Sequence, residues 1–301
     1  MKKILVGVSI LCMGVSLVSC KKDKGGDDGP KIVFKFQFDS SQARLNNLGQ
    51  PASIPSGHAA QSPNFRKMSA HYVELAPTAF TALGTGAVLY KAAEVNVSGG
   101  QFNTAIDHDK CQQTANGETF FSTSIKNVPA GTYEWLRVSL AYQNYDIKYA
   151  FTNPLNTNET LYATGTLASF IGYNTYITSY KIQNMSETVN GAKAQGYWGF
   201  ETNVFGQGYK TAGQAPSGAT TVPNPLFNSS PIPSGSCLVT AAFTEPLVIT
   251  GQETADVVVK VSLSVNKSFE WVEVVNDGWF QPDKGEYPVD MGVRGMIPSR
   301  Q

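Results

Sequence analysis

The stretch 129–149, PAGTYEWLRVSLAYQNYDIKY, decides the fold. Pro129, Ala130 and Gly131 form a turn signal. After it, Leu136, Val138, Leu140 and Tyr142 fall on one face of an extended segment, with Tyr133, Trp135, Arg137 and Ser139 on the other. A period of two with β-branched and aromatic residues is a strand signal, and no helical period competes with it. The same pattern recurs outward in both directions. In KIVFKFQFD (31–39), Ile32, Phe34, Phe36 and Phe38 share a face. In ADVVVKVSLSVN (255–266), Val257, Val259, Val261, Leu263 and Val265 do the same. The runs 119–128, 236–243, 246–250 and 268–275 continue the series. No amphipathic helix longer than two turns interrupts them. Short strands punctuated by Gly, Pro and Asn predict an all-β fold, an antiparallel β-sandwich of immunoglobulin-like or jelly-roll-like kind. Two long connections are expected, 49–64 and 206–235, and long loops in compact domains usually carry function.

The N-terminus reads as an address. Lys2 and Lys3 precede an apolar run, 4–18, of the length of a secretory signal. It is shorter than the roughly 20 apolar residues a transmembrane helix needs. Leu17-Val18-Ser19-Cys20 resembles the lipobox of bacterial lipoproteins, which implies lipidation of Cys20 and removal of residues 1–19. Residues 20–30, rich in charge and glycine, then read as a flexible tether. Asp27 and Asp28 are similar to the acidic export tags of Bacteroidetes-type surface lipoproteins, which implies an outer-membrane location, periplasmic or surface-exposed. Residues 31–301 remain as one β-sandwich domain. Loss of Lys2 and Lys3 leaves a net charge of about −2, with no basic run suited to nucleic acid.

Cys12 leaves with the signal and Cys20 takes the lipid, so Cys111 and Cys237 remain. In an oxidising envelope such a pair is expected to form a disulfide, and closing so long a loop stabilises by about 4–5 kcal/mol. Metal-ligating types gather at 105–111, where Asp107, His108, Asp109 and Cys111 lie close in sequence. The chain has three histidines, His58, His71 and His108, which are the candidate metal ligands. Asp277, Asp283, Glu286 and Asp290 sit among glycines and offer hard oxygen donors for calcium. Tyr197 and Trp198, followed by Phe200, are candidate aromatics for stacking on a sugar ring, and Tyr173, Tyr176 and Tyr180 form a second aromatic group. No Gly-x-Ser-x-Gly elbow, His-Glu-x-x-His pair or phosphate-binding glycine loop is present, so the chain is expected not to be an enzyme.

VFKFQF (33–38), VPAGTYEWLRVSLAYQN (128–144), QGYWGFET (195–202) and VVVKVSLSVNKSFEW (257–271) resemble, in order, features of the methanobactin-associated periplasmic copper-binding protein family. The resemblance implies a β-sandwich that holds copper through histidines near a tryptophan, and Trp198 falls at the family's Tyr-Trp motif. The histidine that follows this motif in the family has no counterpart here, since no histidine lies beyond His108. The chain as a whole is similar to uncharacterised Bacteroidetes lipoproteins. The expected function is a lipid-anchored, non-catalytic binding or structural module of the envelope with a protein or glycan partner. Copper binding and glycan binding are the two specific alternatives.

Overall fold

The computed structural model describes residues 29–46, 48–98, 103–215 and 237–301. The expected signal peptide, Cys20 and residues 21–28 of the expected tether lie outside the described residues. The fold is all-β, as the alternation predicts. Among the described residues no helix is long and apolar enough to cross a membrane.

One four-stranded sheet has the order β19 (Met296–Arg300), β16 (Val257–Ser264), β1 (Lys31–Asp39), β8 (Thr119–Ser124). The central sheet has eight strands. Its main path is β14 (Gln207–Gln214), β13 (Tyr197–Val204), β10 (Thr160–Phe170), β9 (Gly131–Thr152), β3 (Asn64–Ala76), β4 (Ala87–Lys91). β15 (Cys237–Ile249) also pairs with β9, and β7 (Gln113–Thr114) with β3. A third sheet runs β12 (Ser186–Ala194), β11 (Asn174–Lys181), β6 (Thr104–Asp107), β5 (Glu94–Asn96). The fourth is small, with β18 (Pro288–Asp290), β17 (Phe269–Val272) and β2 (His58–Gln61). Pairing is antiparallel with two exceptions, β1 beside β16 and β11 beside β6.

The main core lies between the β1/β16 sheet and the inner face of the central sheet. Ile32, Phe34 and Phe36 of β1 and Val257, Val259 and Val261 of β16 meet Leu136, Val138 and Leu140 of β9 there, all fully or almost fully buried. Burial on this scale is the dominant favourable term, at about 25 cal/mol per Å² of apolar surface. A second core, on the outer face, packs Tyr142, Phe170 and Tyr197 against Ile177 and Tyr180 of β11.

Strand β9 serves both cores because of a bulge. Ser69 of β3 pairs with Tyr142, yet the next residue, Ala70, pairs with Leu140, so Ala141 is left over. Its carbonyl accepts the N–H groups of both Ile171 and Gly172, at 2.9 and 3.0 Å. One extra residue reverses the facing of every side chain beyond it. Leu140 therefore lies in the inner core and Tyr142 in the outer one, while Tyr145 and Ile147 return to the inner core. The single apolar face expected to run through Tyr142 ends at Leu140. Arg137 does lie opposite Leu136, but it is buried there, 3.8 Å from the buried carboxylate of Glu74.

Two further expectations change. The runs 236–243 and 246–250 belong to one strand, β15, whose register on β9 shifts between Ala242 and Leu247. The connection 206–235 begins as strand: β13 turns at Phe205 and Gly206, both at positive φ, into β14. β14 is polar and exposed along most of its length, so it lacks the alternation that marks a strand. Residues 216–236 lie outside the described residues.

Candidate functional site

The candidate site is a hollow of about 420 Å³ against the inner face of the central sheet, beyond the end of the main core. Its back wall is four neighbouring strands. β9 contributes Ile147 and Tyr149, β10 Leu167, β13 Trp198 and Phe200, and β14 Thr211 and Gln214. The front wall is Phe269 of β17 with residues of 280–291, among them Phe280, Pro282, Tyr287 and Met291.

Two glycines give the wall its shape. Phe200 lies over Gly165 on the adjacent strand, where a Cβ would come within 2.1 Å of its ring. Trp198 is paired in register with Gly213, where a Cβ would lie 2.9 Å from its ring. Both rings can therefore lie flat along the sheet rather than stand up into the hollow. The Tyr149 ring meets Phe200 edge to face at 5.5 Å, and Phe280 meets Phe269 in the same way at 5.2 Å. Such pairs add stability beyond the area they bury.

Several polar groups of the wall are turned to internal partners. The Tyr149 hydroxyl donates to Thr202 Oγ1 at 3.0 Å, and Gln214 Nε2 to the Gln195 carbonyl at 2.7 Å. Glu286 is buried, and its carboxylate accepts from the backbone N–H groups of Val274, Val275 and Gln281 at 2.6–3.1 Å. It holds the 274–281 loop in shape and accounts for its own charge. The surface offered to a ligand is aromatic and aliphatic, the composition of small-molecule sites in general.

A charged cluster stands on the opposite face of β17. Glu270, between Phe269 and Trp271 in sequence, is buried and points away from them. His58 Nδ1 lies 2.7 Å from its Oε1, and both Arg44 and Arg294 donate to its Oε2, Arg294 at 3.3 Å. Arg294 also pairs with Asp290 at 2.5 Å. Two guanidinium groups thus balance two carboxylates. Burial, with the neighbouring Arg294 charge, lowers the Arg44 pKa against the opposing pull of Glu270.

The three histidines go to three places. His58 belongs to this cluster. His71 is buried, with Nε2 2.8 Å from Glu94, and its hydrogen bond holds the Glu94 carboxyl below its ordinary value. His108 sits in the outer core between Tyr142 and Phe170, each ring 4.9 Å away, and burial pushes its pKa down to about 4. Asp107 pairs with Lys110, and Asp109 is exposed. Among the described residues no group of three or more His, Cys, Asp or Glu is placed to hold a metal ion. The acidic residues considered for calcium are separately engaged. Asp277 accepts from Trp279 and Gln281, Asp283 from Thr152, Glu286 from its loop, and Asp290 pairs with Arg294.

The expected disulfide is corrected: Cys111 and Cys237 are both free thiols. Cys237 pairs in register with Leu140 and belongs to the inner core, whereas Cys111 packs beside Ala141 and Tyr173 on the outer face. The central sheet stands between them. Burial raises the thiol pKa of Cys111 to about 11 and of Cys237 to about 12, so neither carries a reactive thiolate at neutral pH.

The aromatic pair is split. Trp198 lines the hollow, but Tyr197 points through the sheet into the outer core, where it packs with Phe170 and Tyr180. Tyr173 and Tyr180 are likewise buried on the outer face, and Tyr176 is half-buried. Phe200 was grouped with Trp198 by the sequence and the 280–291 segment was read for its carboxylates alone, whereas Tyr149 and Leu167 of the wall were not marked. Gly165 and Gly213 were the available signal, since glycine inside a strand marks close approach. Compared with protein-family models, curated proteins and solved structures, the chain matches none.

Proposed function

We propose that this chain is a lipid-anchored, non-catalytic binding module of the bacterial cell envelope, and that the hollow beneath Trp198 and Phe200 is its ligand site. The observation that supports the site is an aromatic-walled hollow of about 420 Å³, within the size range of small-molecule sites. The anchor rests on the lipobox ending at Cys20. Two chains or more give stable membrane attachment where one does not, and a lipoprotein carries two or three.

The site is tested with 8-anilinonaphthalene-1-sulfonate, a dye that brightens on apolar surface. Saturable binding by the wild type, lost in Thr211→Trp, supports it. Equal dye binding by the variant removes the hollow as the site. The anchor is tested by metabolic labelling with an alkyne fatty acid, which Cys20→Ser should abolish.

A glycan reading has one observation in its favour, at a different place from Tyr197. The rings of Tyr162 and Trp279 lie 4.5 Å apart, and Tyr162 is 61% exposed. A pair of one exposed and one half-buried ring suits stacking on a sugar ring. Glycan-array binding that disappears in Trp279→Ala would favour it over the apolar site.

A further inference from the structure

We infer that the ligand of the hollow is the hydrocarbon chain of a membrane amphiphile, taken up without recognition of its head group. This rests on the hollow being the ligand site and on the anchor at Cys20, both proposed above. Three observations carry it.

First, the hydrogen bonds of Tyr149, of the Gln214 amide and of Glu286 are made inside the protein. A sugar or peptide entering here buries more hydroxyl or amide groups than the few remaining polar groups of the wall, such as Thr211 and the Trp198 indole N–H, can partner, at a cost of about 1–3 kcal/mol for each one left over. A hydrocarbon chain has no such groups and gains from every Å² it covers. Second, no Lys, Arg or His lines the hollow, and its one carboxylate, Glu286, is buried and bonded to backbone. Among the described residues nothing there selects a charged head group. Third, apolar side chains are exposed close to this wall. Tyr287 lines the hollow and is 47% exposed, and Val274 and Val275, whose N–H groups bond to Glu286, are 56% and 43% exposed. The bilayer is the hydrocarbon source within reach. The ten residues between Cys20 and Lys31 let the chain reach at most about 40 Å, so an anchored domain stays near the lipid surface.

The test uses the full-length lipoprotein in nanodiscs of phosphatidylethanolamine seeded with a phospholipid carrying a diazirine at its acyl terminus. After irradiation, labelled peptides are mapped by mass spectrometry. Labels should concentrate on β10, β13 and residues 280–291, and Thr211→Trp should reduce them about tenfold, the equivalent of about 1.4 kcal/mol in occupancy. Exchanging the labelled lipid's head group for phosphatidylglycerol should change the yield less than about twofold. Phe80, 96% exposed on a different loop, is the internal control for indiscriminate labelling. Labelling at Phe80 equal to that of the hollow, or a strong head-group preference, overturns the inference. Labelling by a free diazirine fatty acid but not by the nanodisc lipid overturns the membrane as source. If a diazirine maltohexaose marks the hollow instead, the site stands and the hydrocarbon chain is wrong. If no probe marks it, the binding-site reading itself falls.

Discussion

Strand β17 separates two regions built on opposite rules. On one face, Phe269 borders the hollow; on the other, Glu270 is enclosed by Arg44, His58 and Arg294. The apolar side tolerates space because a void there forfeits only dispersion contacts, each small. The charged side tolerates none, because a buried charge without a partner costs several kcal/mol. Room for a ligand is therefore found where the chain placed rings, and rigidity where it placed ions. The cluster joins residue 44, strand β2, strand β17 and the 290–294 segment, and so fixes the front wall of the hollow.

The largest expected effect attacks the charged side. Glu270→Ala leaves two largely covered guanidinium groups without their shared carboxylate and should cost about 3–5 kcal/mol, read from urea denaturation. A loss below about 1 kcal/mol would mean that water reaches the arginines and that the contrast between the two faces is false.

The second effect asks whether the charged cluster governs acid sensitivity. His108, in the outer core, is the better candidate. Its ordinary pKa near 6.5 falls to about 4 on burial. Between those values the unfolded chain holds the extra proton and the folded chain does not. Stability is thus complete above pH 6.5 and declines as the pH falls toward 4, by about 3 kcal/mol. His108→Phe should flatten this slope in stability measured across pH 7 to 4. An unchanged slope would return the acid sensitivity to other groups.

The third sharpens the contrast between roomy and filled sites with one methyl group. A Cβ on Gly199 meets the Tyr180 ring in the filled outer core, with 2.2 Å to its hydroxyl. A Cβ on Gly165 meets Phe200, which can shift into the hollow. Gly199→Ala should cost about 3 kcal/mol and Gly165→Ala about 1 kcal/mol, with dye binding weakened only in the second. Equal costs would show that Phe200 is as tightly held as Tyr180. The smallest effect is that of Thr211→Trp on stability, within about 0.5 kcal/mol because Thr211 is exposed on an edge strand. A larger loss, seen as a lowered unfolding midpoint, would weaken its use as a blocking variant.

What the sequence disclosed follows from the range of the forces involved. β1 was plain because it buries one face and alternates without interruption, and β16 because Val257, Val259, Val261 and Leu263 keep the same period although its second half is covered on both faces. The bulge at Ala141 was hidden, since nothing in LAYQNY distinguishes an extra residue from a regular one. It appears only when β3 and β10 are laid alongside. β14 was read as loop because an exposed edge strand needs no apolar residues. The hollow draws on residues from Ile147 to Met291, and the Glu270 cluster joins Arg44 to Arg294. Neither has a local pattern to read. Trp198, read from the sequence as a sugar-stacking aromatic, lines the hollow. Tyr197 was paired with it by adjacency, although adjacent strand residues point to opposite sides.

The parallel pairing of β1 with β16 has a consequence for the order of events during biogenesis. Ile32 aligns with Val257 and Phe38 with Leu263, so the first strand of the domain finds its main partner only after most of the chain has been synthesised. Contacts this distant in sequence form late, and folds dominated by them fold slowly. A chain exported as proposed above cannot close its β1/β16 sheet early, which keeps it threadable through a translocation channel. The same delay leaves the phenylalanine-rich first strand uncovered for longest. A chain shortened before Val257 would leave the β16 edge of that strand permanently unpaired, with only β8 beside it.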